Sequence, residues 1–303
     1  MNIKKTVKSQ VLHSIGSCLG RNYPKQWISF RYFLRFYKRI NWSNPKTLNE
    51  KILYLSLMTD TTCWSVLTDK YHVREYVEDC GFKETLVELY GVWDNASDID
   101  FEKLPNSFVL KTNHGSGEIK LVHDKNLIDK EKLVSYFNKA ISRPYGEIEA
   151  GKHYSRIKPC IVAEQLLIND PISQKKSSSV IDYKFWCFNG KVHYILVCSD
   201  RNEHSLNLLL YDRDWNVHPE YSVFTRHYQR GNVISRPENY DLMIKMSETL
   251  ARPFPCVRVD LYNIGGKIYF GEMTFTSLGG MMNYFTNDFL DKAGSLIDLK
   301  YKG

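Results

Sequence analysis

An α+β fold is predicted from three features of the 303-residue chain. Short apolar, strand-like runs are interspersed with amphipathic helical stretches. Two pairs of those runs close on turn residues, Asn189-Gly190 and Asn263-Ile-Gly-Gly266, which makes the flanking strands antiparallel. The length alone fits about two domains of ~100–200 residues.

Trp27 to Ile40 reads as an amphipathic helix, with Trp27, Phe30, Phe33, Leu34 and Tyr37 on one face and Arg31, Arg35, Lys38 and Arg39 on another. Thr47-Leu48-Asn49-Glu50 is a capping box, so a helix should run to about Met58. A second helix is expected over Cys63–Cys80, stopped by Gly81. Phe82–Asn106 reads as a connector. Strands follow at Phe108–Lys111 and Ile119–Val122, around the glycine loop Asn113-His-Gly-Ser-Gly117. Asp129 caps a helix over Lys130–Ile141. Further strands are expected at Cys160–Ile168, Asp182–Phe188, Lys191–Cys198 and Leu206–Tyr211. A helix over Asn239–Ala251 precedes the hairpin strands Val257–Tyr262 and Lys267–Thr274. The implied organisation is a basic region at 1–45, a helical part at 46–106, a glycine-loop subdomain at 107–168 and a C-terminal subdomain at 169–303.

The 41 basic residues are unevenly placed: ten lie in the first 49 positions, where there is no acid, leaving 31 against 34 acidic residues. A basic, aromatic N-terminal region suits an anionic partner such as a membrane surface, although most helices of this kind pack their apolar face on their own core. No nucleic-acid motif accompanies the charge, and no nucleic-acid partner is expected. No apolar run approaches the ~20 residues of a membrane span, and the N-terminus has no continuous apolar stretch of a secretory signal. The seven cysteines form no C-x-x-C pair and read as reduced core thiols of a cytoplasmic protein.

Four features carry chemistry. Lys111 ends a strand and runs into Asn113-His114-Gly115-Ser116-Gly117. Glycines let backbone N–H groups approach an anion and the lysine neutralises it, which suits a triphosphate; by itself a two-glycine loop is equally a plain turn. Arg258-Val-Asp260 and Glu272-Met-Thr274 sit on paired strands. If their faces coincide, two carboxylates and a hydroxyl make a hard-oxygen Mg²⁺ site beside a phosphate-binding arginine. Glu164, in Ile161-Val-Ala-Glu-Gln-Leu-Leu167, is a carboxylate in an apolar strand and needs a partner; the strand edge there suits adenine. Asp182 and Lys184 share a face and fit ribose and phosphate. His114 is placed to contact phosphate or move a proton. Asp212-Arg213-Asp214 is a D-x-D match and reads as a turn. There is no G-x-S-x-G nucleophile signature.

In this order the features resemble the TupA-like ATP-grasp family of bacterial surface-polysaccharide synthesis, members of which are often described as glycosyltransferases. The resemblance runs from about Asn44 to Phe285 through NPKTLNEKI, TDKYHVREYV, LPNSFVLKTNHGSGEI, IVAEQLL, DYKFWCFNGKV, YDRDW and RVDLYNIGGKIYFGEMTF. It implies an ATP-grasp fold of two α+β subdomains clamping ATP. It makes Lys70 and Lys111 the nucleotide lysines and His114 to Gly117 the loop over the triphosphate. Glu164, Gln165, Leu166 and Leu167 become the adenine hinge, with Asp182 and Lys184 at ribose and phosphate. Asp260 and Glu272 become the Mg²⁺ carboxylates, with Thr274 beside them, and Arg258 steadies an acyl-phosphate. Thr274 departs from the asparagine of D-alanine–D-alanine ligases and is the weaker metal ligand. The implied activity is ATP-dependent joining of a glycan or sugar-linked carboxylate to an amine in the cytoplasm; the basic region at 1–45 is what suits contact with the inner face of the plasma membrane. A glycan kinase, a glycosyltransferase and a non-catalytic nucleotide-binding scaffold at the membrane surface are the alternatives.

Overall fold

The computed structural model describes residues 15–149 and 151–303. Lys4, Lys5 and Lys8 of the basic region therefore lie outside the described residues.

A helical stretch at residues 15–22 leads into helix α1 (Pro24–Phe36), which starts on a proline and ends where Tyr37 turns left-handed at φ 53°. The buried face of α1 is Ile28 and Tyr32, one turn apart, packed with Ile40, Leu53 and Met281. This corrects the expected apolar face: Phe30, Phe33, Leu34 and Tyr37 are exposed. Aromatic content suggested that face, but Ile28 and Tyr32, four residues apart, are the pair that meets the core. Helix α2 (Leu48–Met58) has its capping box, with the Glu50 amide donating to Thr47 Oγ1 at 3.2 Å and the Thr47 amide to Glu50 Oε2 at 3.1 Å.

The single helix expected over Cys63–Cys80 is two, α3 (Thr62–Thr68) and α4 (Val73–Asp79). Asp69 breaks it. Its Oδ1 accepts from the amides of Tyr71 at 2.8 Å and His72 at 3.2 Å, offering the backbone an alternative to the helical ladder.

The first sheet has the antiparallel order β1-β4-β2-β3, from β1 (Leu89–Trp93), β2 (Phe108–Thr112), β3 (Ile119–Val122) and β4 (Ile161–Glu164). Strand β1 lies inside the stretch read as a connector. Phe108, Leu110, Ile161 and Ala163 face helix α5 (Lys130–Ile141) through Leu133 and Phe137. Alternation then turns Val109, Lys111 and Glu164 the other way. Strand β4 is shorter than the expected Cys160–Ile168: after Glu164 the chain leaves the sheet, with the Gln165 amide donating to Glu88 O at 2.9 Å.

Two one-turn helices, α6 (Lys152–Ser155) and α7 (Pro171–Gln174), precede the second sheet. It contains β5 (Asp182–Phe188), β6 (Lys191–Ser199), β7 (Leu206–Asp212), β8 (Tyr228–Arg230), β9 (Cys256–Ile264) and β10 (Lys267–Thr274), in the order β10-β9-β5-β6-β7-β8. Only the β7–β8 pair is parallel among the described strands. Helix α8 (Tyr240–Ala251) buries Tyr240, Met243 and Leu250 in the main core with Phe185 and Val257, and α9 (Asn287–Ser295) lies against α2. Cys160, Cys187, Cys198 and Cys256 are buried free thiols as expected, whereas Cys18 and Cys63 are exposed. Among the described residues no helix is long and apolar enough to cross a membrane.

Candidate functional site: a cleft between two sheets

Lys111 and Val162 are paired across β2 and β4, so Lys111 and Glu164 share the cleft face on a diagonal. Lys111 Nζ meets Glu164 Oε2 at 2.5 Å, and Arg74 Nη1 lies 3.7 Å from Oε1. The buried Glu164 thus has the partners its apolar strand requires.

The glycine loop is anchored at one end by Asn113. Its Nδ2 donates to Asp69 Oδ2 at 2.8 Å, and its Oδ1 accepts from the Cys160 amide at 2.7 Å. The Lys70 amide donates to Asn113 O at 3.1 Å, and Lys70 Nζ to Gly115 O at 2.5 Å. The Asp69 turn that breaks the helix is therefore the turn that delivers Lys70 to the loop. Burial, with Lys111 nearby, lowers the Lys70 ammonium below its ordinary value, against the opposing pull of Glu272. Gly115 sits where a Cβ would come within 2.7 Å of Glu118 Oε2, and Gly117 is left-handed at φ 95°. Ser116 and Gly117 at the tip are exposed. His114 is buried with its ring 6.2 Å from that of Tyr145, and burial lowers its pKa. It lines neither of the two cavities described below.

Strands β5, β9 and β10 put Lys184, Asp260 and Glu272 in one row. The row depends on a bulge. From Lys267 to Phe270 the hairpin pairs in one register, and at Gly271 it slips by one residue, so that Glu272 opposes Asp260 and Thr274 opposes Arg258. Without the slip, Glu272 would oppose Val259 and point to the other face. Gly271 is the residue that permits it: a Cβ there would stand 2.9 Å from Asp260 O.

Arg258 organises this face. It donates to Asp260 through Nε at 2.7 Å and Nη2 at 2.8 Å, to Thr274 Oγ1 at 3.1 Å, to Glu272 Oε1 at 3.3 Å and to Ser277 Oγ at 2.5 Å. Lys184 Nζ bonds Asp260 Oδ2 and lies 2.6 Å from Asp182 Oδ2. Burial alone would lower Lys184 and raise Asp260. The attraction of Asp182 and Asp260 holds the lysine charged, and Arg258 and Lys184 hold Asp260 ionised.

Two cavities meet here. One, of about 250 Å³, is an apolar slot walled by Leu86, Val109, Leu121, Leu167 and Phe270, with Lys111, Glu164 and Asp182 at its polar end. The second, of about 560 Å³, holds Gly115, Ser116, Lys184, Arg258, Glu272 and Thr274. Lys70 and Arg201 line both. A wider groove of about 720 Å³, beside Asn189 and Gly190, contains none of the predicted site residues.

The slot leaves apolar side chains and free polar groups open. Ile119 and Leu121 are 47% and 56% exposed inside it although apolar. Leu166 and Leu167 make no backbone hydrogen bond among the described residues. Asp182 Oδ1 is buried without a partner among the described residues. The expected metal trio is brought together differently. Asp260, Glu272 and Thr274 share a face, but both Asp260 oxygens are taken by Arg258 and Lys184, and Glu272, with a side chain 39% exposed, is the open carboxylate. Among the described residues no group of three His, Cys, Asp or Glu side chains converges as a metal site. One open carboxylate still fits Mg²⁺, which keeps waters and takes its other oxygens from phosphates.

Sequence reasoning missed Arg74 and Arg201. Arg201 lies 3.6 Å from Asp182 Oδ2 and follows β6 in an irregular segment, so no periodicity marked it. Asp212 of the D-x-D match is used up in its own turn, accepting from the Asn216 amide at 2.8 Å.

No curated protein matches the chain in sequence. Among solved structures, a D-alanine–D-alanine ligase from Bacillus anthracis is similar at 17% identity and a TM-score of 0.47, over 80% of this chain and 67% of that one. The same ligase complexed with ATP is similar at 16% and 0.44, over 78% of this chain; the match spans 62% of its length. An L-amino acid ligase from Bacillus licheniformis is similar at 13% and 0.46, over 77% and 49%. The model of the TupA-like ATP-grasp family matches residues 50–297, which contain both sheets, the glycine loop and the bulged hairpin, and the chain belongs to that family.

Proposed function

We propose that this protein is an ATP-dependent carboxylate–amine ligase. The observation that carries the reading is the junction of the two cavities: an apolar slot opens at Lys70 onto a cavity where Arg258, Thr274 and the open Glu272 converge. Adenine fits the slot, with the free backbone of Leu166 and Leu167 after Glu164 and Gln165 to read its edge and Asp182 near the ribose. Lys70 and Lys111 neutralise the inner phosphates, and Gly115, Ser116 and Gly117 close over the outer ones. Glu272, with Thr274 beside it, would hold Mg²⁺, which would draw charge from the transferred phosphoryl group. Asp260 and Lys184 fix Arg258, which faces the reacting group. His114, buried off both cavities, supports the loop.

In the reaction a substrate carboxylate oxygen attacks the γ-phosphorus and ADP leaves. The nitrogen of an amine then attacks the acyl carbon, loses a proton, and phosphate departs. The protein supplies positioning and charge neutralisation, with no covalent intermediate on a side chain. From the family we infer a sugar-linked carboxylate of a surface polysaccharide as the acceptor. The outward Phe30, Phe33, Leu34 and Tyr37 of the N-terminal region, with Lys38 and Arg39, suit an anionic membrane surface. Adsorption to phosphatidylserine vesicles that fades with salt is the check on that point.

The test is nucleotide turnover with Mg²⁺ against pooled uronic-acid glycans and amino acids. ADP and phosphate release that needs both a carboxylate and an amine, and is lost in Glu272→Ala, is the expected result. Phosphate retained on the sugar would make the protein a kinase instead.

A further inference from the structure

We propose that the second substrate carries an anionic group, a phosphate or a carboxylate remote from the reacting one, which helix α1 binds through Arg31 and Arg35. The inference rests on the ligase reading and extends it to the acceptor.

Helix α1 lies outside the family match at residues 50–297. It is nevertheless seated by Ile28 and Tyr32 on Leu53 of α2 and on Met281, just past the Ser277–Gly280 turn. That seat turns Arg31 and Arg35 into the wall of the 560 Å³ cavity whose other end holds Arg258, Glu272 and Thr274. The volume falls in the range of about 300–1,000 Å³ typical of small-molecule sites, and the triphosphate end occupies part of it. Across the cavity stand Arg201, His227 and Tyr228, over Leu206 and Leu208.

Arg31 and Arg35 are at most partly engaged by internal partners. Arg35 makes no ion pair among the described residues. Arg31 gives one Nη1 bond to Ile148 O at 2.6 Å, and Glu149 is the acid that faces it. Packing needs only Ile28 and Tyr32; the exposed Arg35 is open to an anion at the cavity wall, and the part-buried Arg31 gains from an anion that offsets its desolvation. Their planar fork matches carboxylate and phosphate oxygens, and the apolar Leu206 and Leu208 with Tyr228 suit the face of a sugar ring.

The experiment saturates the protein with AMP-PNP and Mg²⁺, so that the triphosphate site is filled, and titrates glucose 1-phosphate, glucuronate and glucose by calorimetry. At least one anion should bind and glucose should not, the phosphate or carboxylate arm identifying the group. Arg35→Ala and Arg31→Ala should each weaken anion binding by about tenfold or more, with Arg35→Lys recovering part of it. AMP-PNP affinity should be unmoved in the exposed Arg35 variants. Anions that bind no better than glucose, or binding indifferent to Arg35→Ala, would overturn the inference while leaving the ligase reading intact. Failure of AMP-PNP to bind the wild-type protein would overturn the ligase reading itself, and this inference with it.

Discussion

Arg258, Lys184 and Asp260 form a buried set in which each charge exists because of the others. Taking any one of them away leaves an uncompensated charge among side chains that are buried. Asp260→Asn, with Arg258 and Lys184 still present, should lower stability by about 3–5 kcal/mol, read as a lower denaturant midpoint. The pH dependence has a definite sign. Burial pushes the Asp260 carboxyl up, but Arg258 and Lys184 outweigh it and hold the folded value below 3.8. The stability it contributes is complete above 3.8 and is lost as pH falls through the lower folded value, so Asp260→Asn should flatten the acid limb of the stability profile. An unchanged midpoint and acid limb would mean that the set is not a stabilising unit. Lys70 gives the opposite limb. Its ammonium is lowered from 10.5 by burial, so it discharges at a lower pH than an ordinary lysine. ATP affinity should therefore weaken as pH rises toward, and before reaching, 10.5, and Lys70→Arg should keep its affinity to higher pH. Identical alkaline profiles for the two proteins would remove Lys70 from the phosphate site.

The β9–β10 hairpin owes its chemistry to one extra residue. Gly271→Ala puts a methyl 2.9 Å from the Asp260 carbonyl, so the bulge must shift or straighten. A loss of about 1–3 kcal/mol and weaker Mg²⁺–ATP binding are expected. Gly265→Ala in the turn of the same hairpin meets nothing within 4 Å, although Gly265 is left-handed at φ 57°. It should cost about 1–2 kcal/mol of backbone strain and leave nucleotide binding alone. Equal losses of binding in both would show that hairpin stability, and not the bulge, sets the site. This hairpin also marks how far the sequence could be read. Both strands and the turn were legible from alternation and from Asn263-Ile-Gly-Gly266, and so was the pairing of Arg258 with Asp260 and of Glu272 with Thr274 on their own strands. Counting outward from the turn, however, puts Glu272 opposite Val259, and only the slip at Gly271 joins the two faces. A glycine in a strand hints at a bulge but does not announce its register. The break between α3 and α4 was hidden for a similar reason. Asp69 is a helix-compatible residue unless its side chain finds amides and Asn113 to bond, which is a tertiary fact. Strand β1 escaped notice because its one neighbour is β4, some seventy residues later, and its own sequence carries Gly91.

At the scale of the molecule, two largely antiparallel sheets face one cleft, and the residues that span it come from distant segments. Lys70 and Arg74 arrive from the helical part, Lys111 and Glu164 from the first sheet, and Lys184, Arg258, Asp260 and Glu272 from the second. Long ordered motifs made the family legible across most of the chain, because they hold these positions in sequence order. The contribution of α1 was not legible, since its aromatic residues pointed to the wrong buried face and its arginines gave no sign that they line a cavity. The central claim is that the cleft binds Mg²⁺–ATP with Lys111 at the phosphates. It is tested most directly by titrating Mg²⁺–ATP calorimetrically into the wild-type protein and into Lys111→Met, with circular dichroism to establish that both are folded. Saturable one-to-one binding, weakened about tenfold or more in the folded variant, is the predicted result. No binding by the folded wild-type protein, or equal binding by both, would contradict the account.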